Sequence, residues 1–209
     1  MADNTKIWSL IHAERRTVAD TIEGLSPEQW THPSLVEGWS VGQLAAHMLR
    51  AAEQTPGRFL KQMARSGFRF DKSMDDTTRA SDLDKDEIVT RMRQRLTTTN
   101  HPPGPPVAML GEVVVHGEDL RRPLGITQRV SDEAINECLD MYAKTNFPVG
   151  GKKRITGLHV VTTDTGWSRG DGPEVSGPGL SVLLATTGRA AGLDDLEGDG
   201  VTVLRQRMG

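Results

Sequence analysis

The segment VAMLGEVVVHG, from Val107 to Gly117, decides the fold prediction for this chain. Its only polar side chains are those of Glu112 and His116. A run this apolar predicts a helix that is buried on most of its surface. Because burying an unpartnered carboxylate or imidazole costs several kcal/mol, each of these two side chains must find a partner. The segment therefore predicts the central helix of a bundle, with two functional groups inside it.

The spacing of Glu112 and His116 places both side chains on one helix face, where both can bind a single metal ion. The same spacing also suits a buried hydrogen-bonded pair, and spacing alone does not separate the two interpretations. A second pair, Glu28 and His32, has the same spacing. We discount it because Pro33 follows His32 directly and predicts that the helix ends there.

A third candidate ligand, His47, lies in the apolar stretch LAAHML at residues 44–49. A lone histidine of this kind is more often a core residue than a metal ligand. Two apolar helices that each present a histidine, one with a carboxylate a turn away, favour a shared site. Two histidines and one glutamate can hold catalytic zinc with a fourth position open. The set also suits other divalent metals.

The remaining pattern predicts five helices followed by a mixed segment. Amphipathic spacing and end signals predict helices over residues 5–23, 41–67, 82–97, 106–121 and 131–146. Ser40 and Gln43 have the spacing of a capping box, and Pro56 should kink or end the second helix. After Pro148 the pattern predicts a strand over 158–163, a helix over 180–191 and a final strand over 201–204.

These elements predict an α+β protein with two domains. Residues 1–148 should form a metal-binding helical bundle, and residues 149–209 should form a small α/β domain. The boundary is placed at the Pro148–Arg154 region because strand signals begin only after it.

Composition excludes several classes of function. The formal net charge is −3, which gives no electrostatic reason to expect nucleic acid or an anionic membrane as a partner. Cys138 is the only cysteine, so an intrachain disulfide and a cysteine-rich zinc site are excluded. No signal peptide and no transmembrane stretch is evident, and we expect a cytoplasmic protein.

Two groups of polar residues outside the ligand set have ambiguous roles. Asp119 and Glu118 follow the helix motif and could orient a metal ligand from behind. They could equally be the solvated end of the helix, which we favour for Glu118. Cys138 lies beside Leu139 in the fifth predicted helix, and we interpret it as a packing residue rather than a nucleophile.

The chain resembles the mycothiol-dependent maleylpyruvate isomerase family, within the wider group of DinB-like metal-binding bundles. The resemblance rests on GWSVxxLxAH at residues 38–47 and on ExxxHGxDLxxxLG at residues 112–125. Weaker matches follow at LL, residues 183–184, and GRA, residues 188–190. The matching positions span nearly the whole chain.

The resemblance implies a ligand set of His47, Glu112 and His116 for a divalent metal, usually zinc. It also implies that Arg189 corresponds to the family's essential C-terminal arginine. The implied cosubstrate is mycothiol, a low-molecular-weight thiol, and the implied partner is an electrophilic small molecule resembling maleylpyruvate. The thiolate would attack that substrate in an isomerase or S-transferase reaction, for which the C-terminal domain here is short.

Two alternatives stay open at this point. The first is a metal-stabilised binding or regulatory protein without turnover. The second is a hydrolase that uses metal-bound water, with Glu112 as a ligand.

Overall fold

The computed structural model describes residues 3–65 and 84–208. The chain divides into two compact units, Met1–Gln128 and Arg129–Gly209. The described part of the chain is mostly helical, with 59% of those residues in helices, and it contains one small three-stranded sheet. The α+β prediction is therefore confirmed. None of the helices in the described ranges is both long enough and apolar enough to cross a membrane.

The named secondary-structure elements in the described part of the first unit are all helices. Its α-helices, in chain order α1 to α6, are Asn4–Glu23, Pro27–Thr31, Val41–Ala52, Pro56–Arg65, Lys85–Gln94 and Val107–Arg121. A short 3₁₀ helix, Arg122–Leu124, follows α6. Helices α1 and α3 each pack against both α5 and α6, so these four form the core of the bundle.

Several helices begin at a side-chain cap, among them α3 and α5. Ser40 accepts from the backbone N–H of Gln43, and the Gln43 side chain accepts from the backbone N–H of Ser40. Asp84 caps α5 in the same position. The predicted helix over 41–67 is interrupted before Pro56, since the Pro56 ring prevents the preceding turn from continuing. The ends of two predicted helices, residues 66–67 and 82–83, lie outside the described residues.

Helix α6 is buried along most of its length, as its apolar sequence predicts. Close approach to α1 depends on Gly117. A Cβ atom at that position would lie 3.2 Å from Val18 Cγ2 and 2.9 Å from Arg121 Nη2. The small residue therefore lets α1 and the Arg121 guanidinium share the space beside α6.

The second unit combines short helices with the sheet. Its α-helices, α7 to α10, are Asp132–Tyr142, Gly151–Ile155, Gly179–Thr186 and Gly200–Gln206. Its strands, β1 to β3, are His159–Thr162, Ser168–Arg169 and Glu174–Gly177. The strand order is β2-β1-β3, with β1 antiparallel to β2 and parallel to β3. Helix α9 packs against α7, α8, β1 and a 3₁₀ helix, Ala190–Asp195.

The domain boundary differs from the predicted one. The sequence indicates a division after residue 148, whereas the compact units divide between Gln128 and Arg129. Helix α7 packs against α9 and so belongs to the second unit. The sequence break at Pro148 marks where strands begin, which is not where packing changes.

Near the C-terminus one predicted element is wrong and another is shorter than predicted. Residues 201–204 lie in helix α10 rather than in a strand. The edge of β3 that such a strand would need is already occupied, because Ser176 exchanges two backbone hydrogen bonds with Glu197. The predicted helix over 180–191 ends at Thr186, because Gly188 adopts a left-handed conformation with φ of +92°.

A buried charge cluster lies between α1 and α6. Arg121 is fully buried and donates two hydrogen bonds to Glu118 Oε1, at 3.1 and 2.9 Å. Glu14 is also buried, and its Oε2 atom makes no hydrogen bond with any described residue. Burial raises the pKa of Glu14 to about 6, Arg121 opposes that rise, and Glu118 adds to it.

This cluster predicts a pH-dependent effect of Glu14→Gln. The folded pKa of Glu14 is raised, so its contribution to stability is present below about pH 4.5 and is lost as pH rises through about 6. At pH 8 the free energy of unfolding of the glutamine variant should therefore exceed that of the parent by about 2 kcal/mol. The difference should disappear near pH 4.5.

Urea unfolding followed by circular dichroism at both pH values measures the effect. Glu37→Gln, at an exposed carboxylate, is the matched control and should change little. A Glu14→Gln variant that is less stable than the parent at pH 8 would contradict the assignment.

Candidate metal centre

Helices α3 and α6 of the first unit bring together the three side chains that the sequence singles out. His47, Glu112 and His116 each offer a ligand atom, and these atoms lie within 4.8 Å of one another. His47 is 4% exposed, and the side chains of Glu112 and His116 are 26% and 16% exposed. In the described part of the chain this is the only such group of three. The three side chains are thus mostly buried, but solvent still reaches Glu112 and His116.

The contacts within the group fit a shared ion better than a hydrogen-bonded pair. His47 Nε2 lies 2.9 Å from Glu112 Oε1, and His116 Nε2 lies 3.6 Å from Glu112 Oε2. His47 Nε2 is buried, yet it makes no hydrogen bond of acceptable geometry. Ligand atoms around a tetrahedral zinc ion lie about 3.4 Å apart, given metal–ligand bonds near 2.1 Å. The observed separations lie on either side of that value.

Asp119 contacts His116 at Nδ1, the ring nitrogen that does not face Glu112. Its Oδ2 atom lies 2.8 Å from His116 Nδ1, and the residue is fully buried. A hydrogen bond at Nδ1 fixes the tautomer in which Nε2 carries a lone pair. That lone pair is what a metal ion requires. The structure thus places Asp119 in contact with His116 rather than at a solvated helix end, a choice that the sequence leaves open.

A backbone hydrogen bond holds the loop before α3 beside Asp119. The backbone N–H of Leu35 donates to the carbonyl of Asp119 at 3.0 Å. Further along the loop, the Trp39 ring lies 5.2 Å from the His47 ring, and the His47 ring lies 5.1 Å from that of His116. The Trp39 ring covers one side of His47 and so lowers the access of water to it. The sequence includes Trp39 in the motif at residues 38–47 but does not predict its contact with His47.

The charges of the group suit a divalent cation. Two neutral imidazoles and the Glu112 carboxylate would surround the ion, and the buried Asp119 carboxylate lies directly behind His116. Two carboxylates in a shielded position balance a charge of +2. The residues present therefore fit a divalent metal.

The other candidates are found away from these three atoms. Glu118 is buried against Arg121, so its interpretation as a solvated residue is wrong. Cys138 is fully buried in α7, as expected for a packing residue. Arg189 lies in the second unit, just before a 3₁₀ helix, and its Nη1 donates to the carbonyl of Thr187 at 2.9 Å. His32 is exposed at the end of α2, as Pro33 predicts.

Comparisons with known proteins agree with the family resemblance. Residues 11–98 match the family model described as the mycothiol maleylpyruvate isomerase N-terminal domain. Two crystal structures share the fold, those of a mycothiol-dependent maleylpyruvate isomerase and of a histidine-to-alanine mutant of it. Their TM-scores are 0.63 and 0.64, each at 15% identity over 94% of this chain and 93% of that chain. No curated protein matches the chain.

The geometry predicts which histidine substitution removes the metal. His116→Ala should abolish retention of a divalent ion during purification, because the two remaining ligands, His47 and Glu112, bind the ion too weakly. His32→Ala is the matched control and should retain the ion, since His32 lies in an exposed turn. Metal analysis of untagged protein by mass spectrometry measures both. Full metal content in both variants would show that the ligands are misassigned.

A second substitution tests the residue behind the site. Asp119→Asn should weaken metal affinity about 10- to 100-fold, because the amide no longer holds His116 as a carboxylate does. Competition with a chromophoric chelator measures the affinity. Unchanged affinity would mean that the contact to His116 Nδ1 does not act on the metal.

Proposed function

We propose that this chain, whose residues 11–98 match the N-terminal domain of the mycothiol maleylpyruvate isomerases, is a metal-dependent enzyme that uses mycothiol. Its reaction is an isomerisation or S-transfer on an electrophilic small molecule resembling maleylpyruvate. The observation that carries the proposal is the group formed by His47, Glu112 and His116, with Asp119 behind it. A small-molecule enzyme of this kind fits the cytoplasmic setting predicted from the sequence.

The three side chains would hold the ion, which we expect to be zinc. A bound divalent ion lowers the pKa of a thiol that reaches it, and so supplies a thiolate nucleophile at neutral pH. Three protein ligands leave one position of a tetrahedral ion for that thiol.

The chain's own groups prepare the site for this chemistry. Asp119 keeps the His116 Nδ1 proton in place, which presents Nε2 as a neutral donor. Burial keeps His47 close to Glu112 in the absence of competing water. Trp39 covers one side of the His47 ring and limits hydrolytic access.

The reaction class follows from what a thiolate does to a conjugated double bond. Addition forms a carbon–sulfur bond and turns the double bond into a single bond, about which the adduct rotates. Expulsion of the thiolate restores the double bond as the other isomer, whereas retention gives S-transfer. We assign to Arg189 the binding of a substrate carboxylate, since a guanidinium offers two parallel donors to it.

The proposal predicts a spectroscopic response to the thiol. Cobalt placed in the site should give a sulfur-to-metal charge-transfer band in the near ultraviolet when mycothiol is added. Binding should also release protons at pH values below the thiol's ordinary pKa of roughly 8.5. Cys138→Ala should give the same band, because Cys138 is buried in α7 of the other unit.

The controls separate this function from its alternatives. Glu112→Gln should bind cobalt weakly and show no band, since it lacks the anionic ligand. If cobalt binds well and mycothiol leaves the spectrum unchanged, direct activation of a thiol by the metal is wrong. Hydrolysis by metal-bound water, or a binding protein without turnover, would then be the better description.

A further inference from the structure

Three ionisable side chains surround the ring of Trp8 in the first unit. Arg15 Cζ lies over the ring, 5.9 Å from its centroid, and the ring centroids of His12 and His101 lie 5.9 and 5.6 Å from it. Trp8, His12 and Arg15 share one face of α1, because they are four and three residues apart. His101 belongs to the segment after α5. We call these four residues the Trp8 cluster; none of them is a ligand of the candidate metal centre.

Arg15 is buried, and within the described ranges it contacts no carboxylate. Its Nη1 atom donates to the carbonyl of Thr98 at 2.7 Å and, over a longer distance of 3.4 Å, to that of Arg95. Its Nη2 atom is buried without a hydrogen-bond partner. Burial lowers the pKa of Arg15 to about 10, because the charged form loses its hydration.

Helix capping accounts for only part of the Arg15 side chain. Arg95 ends α5, so the bonds from Nη1 hold the segment that leaves that helix. The adjacent carboxylate in sequence, Glu14, faces α6 instead, where burial and the charges of Arg121 and Glu118 shift its pKa. A buried cation without a counter-charge is costly. Nη2 is thus an unused N–H donor on an unbalanced charge.

His12 carries a second unused polar atom close to Arg15. Its Nε2 atom is buried and makes no hydrogen bond. Burial lowers the pKa of His12, a backbone contact with Thr98 raises it, and the charges of Arg15 and Arg16 lower it again. His12 and Arg15 therefore both approach the Thr98 backbone. A neutral His12 avoids placing another positive charge beside the guanidinium.

The Trp8 cluster is accessible from solvent at its outer side. The side chains of Trp8, His12 and His101 are each half-buried, whereas Arg15 is 5% exposed. The Trp8 ring contacts both residues that carry an unused nitrogen. A small shift of this ring would therefore open both nitrogens to a ligand.

We propose that Arg15 and His12 form a site for a small phosphate-type dianion, which binds together with a proton on His12. One anion oxygen would accept from Arg15 Nη2 and another from the protonated Nε2 of His12, so that both unused atoms gain a partner. A dianion also balances the two positive charges of the imidazolium and the guanidinium. This site is separate from the metal chemistry and does not rest on the proposed function.

Proton NMR of the histidine rings in the full-length protein tests the proposal. Sulfate is the probe, because it stays a dianion between about pH 5 and pH 8, so that any pH dependence belongs to the protein. It should shift the His12 resonances to saturation and raise the pKa of His12. It should also bind about tenfold more tightly at pH 5.5 than at pH 8, since binding takes up a proton.

Two controls separate binding from general effects of salt. Sodium chloride at the same ionic strength measures screening alone. His32, exposed at the end of α2, is the internal control, and its resonances should respond equally to both salts. Equal responses of His12 to sulfate and to chloride would overturn the proposal.

Substitutions separate the two donors from general charge. His12→Gln should lose the pH dependence, because an amide takes up no proton. Arg15→Gln should weaken sulfate binding at pH 5.5 about tenfold or more. Arg15→Lys keeps the charge if the glutamine variant does not fold, and should still bind more weakly because it lacks a second nitrogen. Arg16→Gln, which removes an exposed cation at the next position, is the matched control and should change the affinity about twofold at most.

The variants and two further ligands complete the test. Sulfate affinity that is unchanged in a folded Arg15 variant, or pH dependence that persists in His12→Gln, would overturn the proposal. Inorganic phosphate and glycerol phosphate identify the source of the dianion. Tighter binding of glycerol phosphate assigns the site to a phosphorylated small molecule, and the reverse order assigns it to the free ion.

Discussion

The burial of polar groups on helix α6 is the constraint on which the first unit depends. The helix packs against α1 and α3 over most of its surface, and it carries Glu112, His116, Asp119, Glu118 and Arg121 through that interface. In a medium of low polarity each group must be paired, or folding becomes too costly. The pairing happens locally along α6, through contacts three or four residues apart. Most of the polar side chains of α6 are therefore paired with other side chains of the same helix.

The polar side chains of α6 separate into two groups with different consequences. Glu118 and Arg121 compensate each other toward α1, where Glu14 adds a second carboxylate and a raised pKa. Glu112 and His116 meet His47 of α3, and the contact between His47 Nε2 and Glu112 Oε1 is not a hydrogen bond. The first group is satisfied mainly by protein atoms. The second converges on a space that suits a cation, and this difference is why we place the chemistry there.

The family comparison and the geometry of the site agree, although they rest on different parts of the chain. The matched residues 11–98 include His47 but neither Glu112 nor His116. The two remaining candidate ligands come from the motif at residues 112–125 and from their proximity to His47. Fold similarity at 15% identity supports the architecture, and the donor set on α3 and α6 supports the chemistry. Neither observation depends on the other.

The sequence by itself determined the elements that rest on local signals. An apolar run with two polar residues predicted α6 and its burial, and a capping box predicted where α3 begins. The candidate ligand set came from two apolar segments that each carry a histidine, together with the family resemblance. Only the tertiary structure decided that Asp119 is buried against His116 and that Glu118 is buried against Arg121, because burial depends on which surfaces pack together. The same reason explains the errors. Residues 201–204 carry a strand-like pattern, but the edge of β3 is already paired to Glu197, so the segment forms a helix instead. Local propensity chooses among short elements only weakly, and packing against the rest of the unit makes the choice.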